Sequence, residues 1–86
     1  MFDPTNLDDV AAGFERRADE LESIRDRLGG VVRGLDWQGN RADRFRARWT
    51  DRRGDFGARA AELRGVAASI RQLAADVRRV LAWIAA

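Results

Sequence analysis

Cysteine, histidine, lysine and tyrosine are all missing from this chain of 86 residues, and proline occurs once, at Pro4. Without cysteine there is no disulfide, no thiolate metal ligand and no thiol nucleophile. Without histidine the commonest general base and the commonest metal ligand are gone. Carboxylates remain, but nothing arranges them as a catalytic pair. The expected catalytic, metal-binding and cofactor-binding residues are therefore none, and no enzyme is expected. No uninterrupted apolar run approaches the roughly 20 residues that span a bilayer. The N-terminal residues show no basic segment followed by an apolar run, so the protein is expected to be made in the cytoplasm without a signal peptide. With no proline after Pro4, nothing forces a break in a helix.

What the chain does have is a seven-residue apolar repeat on either side of a short central segment. Leu7, Phe14, Leu21, Leu28 and Leu35 recur at seven, with Val10, Ile24 and Val31 at plus-three positions. Ala42, Trp49, Phe56, Leu63, Ile70, Val77 and Ile84 do the same further on, with Phe45, Val66, Leu73 and Val80 three residues after members of that series. These are the a and d positions of two amphipathic helices that pack lengthwise. The expected fold is all-α: one domain over residues 1–86, folded as an antiparallel helical hairpin. Helix 1 is expected near 4–34, a turn at 35–40 and helix 2 near 41–84. The expected dimer and core seam comprises Phe14, Leu21, Ile24, Leu28, Phe45, Trp49, Phe56, Leu63, Ile70, Leu73 and Val77.

Local signals mark the ends. Asp3 can cap helix 1, Pro4 suits its first position, and Asp8 and Asp9 suit the positive end of the macrodipole. Phe2 and Leu7 have the spacing of a hydrophobic staple. Asn40, with Asp43 three residues on, resembles a capping box for helix 2. Gly29-Gly30 is a weak point in helix 1, and Gly54, Gly57 and Gly65 weaken helix 2, at roughly 1 kcal/mol each relative to alanine.

Charge divides along the chain. Residues 1–40 hold nine acids and five arginines, whereas residues 41–59 hold three acids and seven arginines. Three arginines, Arg17, Arg52 and Arg59, interrupt the d positions. Each can carry its head to the rim along its apolar stem, or pair locally with Glu20, Asp55 or Glu62. A third use is to meet acids on a partner and select it. Ala60, Ala67, Ala74 and Leu81 form a further stripe outside a and d. One hairpin cannot cover all these stripes, so two hairpins are expected to form a four-helix bundle, as a homodimer or a heterodimer.

The segment from Trp37 to Trp49 reads W-Q-G-N-R-A-D-R-F-R-A-R-W. Gly39 suits a positive φ or a close chain approach, and Trp37 can lie over the open end of the hairpin. The segment resembles the turn of the WXG family, the early-secreted-antigen-like helical hairpins of type VII (ESX) secretion. The likeness includes Ala42, Phe45 and Trp49 as the small and aromatic residues that open helix 2. It implies a secreted, non-enzymatic subunit that dimerises with itself or with a related WXG-type protein. It further implies a type VII secretion ATPase as a partner, with Trp37 and Gly39 as the turn motif. The family's export signal, a tyrosine followed four residues later by an acid, has no counterpart here. The resemblance then implies travel as the unsignalled partner, a different signal, or a native C-terminus beyond Ala86. Two rivals stand beside this reading. Arg41, Arg44, Arg46, Arg48, Arg52 and Arg53 around Phe45 and Trp49 suit phosphate contacts. Nucleic acid is not favoured, because both aromatics fall on the expected seam. The Val80–Ile84 cluster suits a membrane surface, though a dimer contact is the preferred use.

Overall fold

The computed structural model describes residues 3–86 as two long helices, α1 (Pro4–Gly34) and α2 (Asn40–Ala85), folded antiparallel. The staple expected between Phe2 and Leu7 lies outside the described residues. At about 1.5 Å per residue, α2 alone accounts for the long dimension of a body measuring 70 × 15 × 14 Å. α1 is shorter and accompanies only part of it.

The start of α1 follows from its first residues. Asp3 is extended, and its carboxylate accepts the Thr5 amide hydrogen bond at 2.9 Å. Pro4 then fills the first helical position, where a missing N–H costs nothing. Asp8 and Asp9 lie beyond the first turn, so the macrodipole is not what places them. α1 runs through Gly29-Gly30 without a break, and α2 through Gly54, Gly57 and Gly65. Gly29 is buried because α1 there meets the Trp49 indole: a Cβ at 29 would lie 3.7 Å from Trp49 Cζ2.

The residues at the centre of the hairpin are not the large ones. Ala11, Ala18, Val32, Ala42, Ala60, Ala67 and Ala74 are buried. Phe14, Leu21, Trp49, Phe56, Leu63, Ile70 and Val77 are only half-buried, and Ile24, Leu28, Phe45 and Leu73 are exposed. The core half of the expected dimer and core seam is corrected accordingly. Ala60, Ala67 and Ala74, read as an outer stripe, are the inner one. Most of these alanines, with Ala11 and Ala18, occupy heptad position e, which lies between a and b around a helix. Small side chains there let the two backbones approach closely. Towards the turn the inward row shifts to position a, where Ala42 is buried and Trp49 rests on Gly29. A straight helix drifts by about 20° per heptad, which accounts for the shift.

Candidate functional site

With alanine inside, the a and d rows are left along one side of the hairpin. Ile24, Leu28, Val31, Val66, Leu73 and Val80 are all exposed, Leu73 at 50% and Val31 at 61%. The a residues form the floor of this face and the d residues its outer part. Arg17, Arg52 and Arg59 stand in the d row and are also exposed. Arg59 pairs along its own helix with Glu62 at 3.3 Å, while Arg17 and Arg52 form no ion pair among the described residues. Midway along, a recess is floored by Leu21, Phe56 and Leu63 and rimmed by Arg52, Asp55, Arg59 and Glu62. Contiguous exposed apolar surface of this extent is uncommon on a folded chain left without a partner.

The opposite side is polar and closed. Because the helices are antiparallel, their b rows meet there. Asp8 reaches Arg78 at 2.5 Å and Arg71 at 3.8 Å, Arg71 also pairs with Glu15, and Arg64 bridges Asp19 at 2.8 Å and Glu22. Asp8, Glu15 and Glu22 recur at seven, as do Arg64, Arg71 and Arg78. A reading confined to apolar positions passes over this ladder, yet its charge periodicity is plain in the sequence. Each pair is partly solvated and weak alone, but the ladder sets which edges face each other.

Arg78's hydrogen bond, with help from its charge and that of Arg71, holds the Asp8 carboxyl below its ordinary value against partial desolvation. Arg64 and Arg71 are pushed further up by their acids and stay charged throughout. A depressed carboxyl contributes stability above its unfolded pKa, near 3.9. That contribution is lost as pH falls through the lower folded value. The melting temperature should therefore drop below about pH 4 more steeply for the native chain than for Asp8→Asn. Parallel curves for the two would show that the Asp8 pair contributes nothing.

The turn is built around one glycine. Gly39 has φ 106° and ψ 178°, a conformation essentially confined to glycine. Its carbonyl accepts the Asp43 amide at 3.0 Å, so α2 starts from Gly39. Asn40 is already helical and makes no cap, contrary to the capping-box expectation, and Asp43 lies 3.8 Å from Arg46 instead. Arg46 braces the extended connection by donating to the Trp37 carbonyl at 2.5 Å and the Leu35 carbonyl at 3.5 Å. Trp37 is 41% exposed and tilts against Phe45, with ring centroids 5.7 Å apart. Phe45 is therefore not buried in the seam. Together with Trp37, Arg41, Arg44 and Arg48 it lines a shallow groove.

Nothing lies within 4 Å of a Cβ at position 39, so the need for glycine there is conformational and not spatial. Gly39→Val is expected to cost roughly 1–3 kcal/mol. Gly65→Ala, in open helical space, should instead add about 0.5–1 kcal/mol. Thermal melts of both variants check the contrast, and a Gly39→Val midpoint equal to the native one would refute it.

Among the described residues no helix is long and apolar enough to cross a membrane, and no cluster of acids is suited to hold a metal ion. Comparisons with protein-family models, characterised proteins and solved structures find no match.

Proposed function

We propose that this chain is a non-catalytic pairing subunit of the WXG type, carried by a type VII secretion system as a substrate or co-secreted partner. The observation that carries the reading is the open a/d face, bounded at one end by the Trp37-Gln38-Gly39 turn. A second hairpin laid on that face would cover both apolar rows and complete a four-helix bundle. The a rows would then form the bundle core, and the d rows the contact between hairpins. The resemblance of the turn supplies the secretion assignment and the secretion ATPase as a further partner. These 86 residues contain no tyrosine, so a tyrosine-based signal is not among them.

Export of Trp37→Ala tests this reading. The exposed ring contributes one tilted aromatic pair and partial burial, on the order of 1 kcal/mol. Folding and pairing should survive. Secretion from a type VII host should fall by about 10-fold or more if the turn is read by the machinery, equivalent to about 1.4 kcal/mol of lost recognition. Export at the native level would confine Trp37 to a structural role, and failure of the native chain itself to be exported would remove the secretion assignment.

The basic end at the turn favours a second reading. Arg41, Arg44 and Arg48 form no ion pairs among the described residues and stand beside two exposed aromatic rings. A phosphate-bearing ligand suits that chemistry. Steeply salt-dependent binding of single-stranded DNA, lost in Arg41→Ala/Arg44→Ala, would support it, and salt-independent or absent binding would end it.

A further inference from the structure

We infer that a single strand of nucleic acid binds along the first part of α2, its backbone on a stripe of four arginines and its bases stacked at the Trp37 and Phe45 rings. The inference rests on the phosphate-ligand reading above and adds the path, the length and the kind of nucleic acid. Six arginines crowd the start of α2, and the fold sorts them. Arg46 is spent on the connection, where it donates to the Trp37 and Leu35 carbonyls and lies 3.8 Å from Asp43. Arg41, Arg44, Arg48 and Arg52 follow one another at three, four and four residues. With 3.6 residues per turn, they fall within about 80° of one another, and Arg53 stands about 100° or more away from each of them. All four are exposed, and none forms an ion pair among the described residues. Asp51 flanks the stripe and Asp55 follows it, so the basic run ends at Arg52.

The wider charge points the same way. Residues 24–53, on either side of the turn, hold nine arginines and four acids, whereas the rest of the chain holds seven arginines and ten acids. A polyanion is therefore drawn to the turn half of the rod. The stripe rises about 16 Å along α2. Nucleotides stacked at about 3.4 Å cover that length with about five residues. The rings decide between a strand and a duplex. Trp37 and Phe45 keep part of their surface open and line the same groove as Arg41, Arg44 and Arg48. Unpaired bases have free faces to stack there, and the bases of a duplex do not. A lipid surface would need rings that protrude, and these lie in a groove among arginines.

Fluorescence anisotropy of a labelled thymidine decamer mixed with the full chain tests this. Four phosphate contacts give a slope of log affinity on log salt of about −2.8, so affinity should fall about 50-fold between about 50 and 200 mM salt. Arg52→Ala should weaken binding and reduce the slope to about −2.1. Arg53→Ala removes the same charge beside the stripe and should keep the native slope. Trp37→Ala should weaken binding about 10-fold at every salt concentration and also keep the slope, because stacking releases no counterions. Circular dichroism should show that each variant keeps its helices. Equal loss of slope in Arg52→Ala and Arg53→Ala, equal affinity for a duplex of the same length, or binding of anionic lipid vesicles without binding of the strand overturns the inference. Two results separate it from the reading beneath it. If Arg41→Ala/Arg44→Ala abolishes binding while Arg52→Ala keeps the native slope, the groove takes a phosphate and the stripe carries no strand. If the native chain binds the strand independently of salt or not at all, the phosphate reading itself is lost.

Discussion

Ala18→Leu combined with Ala67→Leu should lower the melting midpoint by on the order of 10 °C or more. The two alanines lie on facing helices with 0% and 1% of their surface exposed. Each leucine adds three carbons where the backbones approach most closely. Overpacking of this kind costs roughly 1–3 kcal/mol per site. For a domain of this size each kcal/mol is worth about 4–8 °C. The helices would have to move apart, which would also stretch the ladder joining Asp8, Glu15 and Glu22 to Arg64, Arg71 and Arg78. A conventional a/d core would give the opposite sign, since Ala67 would then be an outer position where leucine is harmless. An unchanged or raised midpoint would show that the alanines are not the centre of the hairpin.

Ile24→Glu with Leu73→Glu should act on the other face and on a different property. Both residues are exposed in the hairpin, so at concentrations low enough to leave the native chain unpaired its melting midpoint should move little, as surface changes usually stay within about 0.5 kcal/mol. Pairing should weaken by about 100-fold or more. A second hairpin would have to bury new carboxylates against apolar rows, and such burial costs several kcal/mol when unpaired. Circular dichroism follows the first quantity and sedimentation the second. Loss of helix without loss of pairing would reverse the assignment of the two faces.

Much of the hairpin is legible in the chain. Pro4 after Asp3 marks the start of α1, and the sustained heptads carry both helices to within a residue of their ends. Gly39 is legible as the turn because its left-handed φ excludes other residues. Asn40 misleads for the same reason: once Gly39 supplies the first carbonyl, Asn40 is inside α2 and has no capping role. Which side of each helix faces its mate is not legible from apolar spacing. The heptad rule identifies a stripe, and a, d and e all lie within it. The choice is made by alanine at e and by matched charges at b, neither of which counts in a tally of large apolar residues. The turn shows the same limit. The sequence marks Trp37 and Gly39, but Arg46 reads as one more arginine in a basic run. Its role as the brace on Trp37 depends on an extended connection that no periodicity predicts.

The central claim is that the a/d face is covered by a second hairpin. The absence of cysteine permits a direct measurement: the rate of thiol labelling at a single introduced cysteine, followed as protein concentration rises. Val66→Cys places the reporter in the d row, and Ala68→Cys places a control on the outer surface of the same helix. The prediction is that labelling at 66 slows by about 10-fold or more as the chains pair, since covering a site protects it in proportion to the paired fraction, while labelling at 68 stays constant. Equal rates at both positions at every concentration would contradict the account.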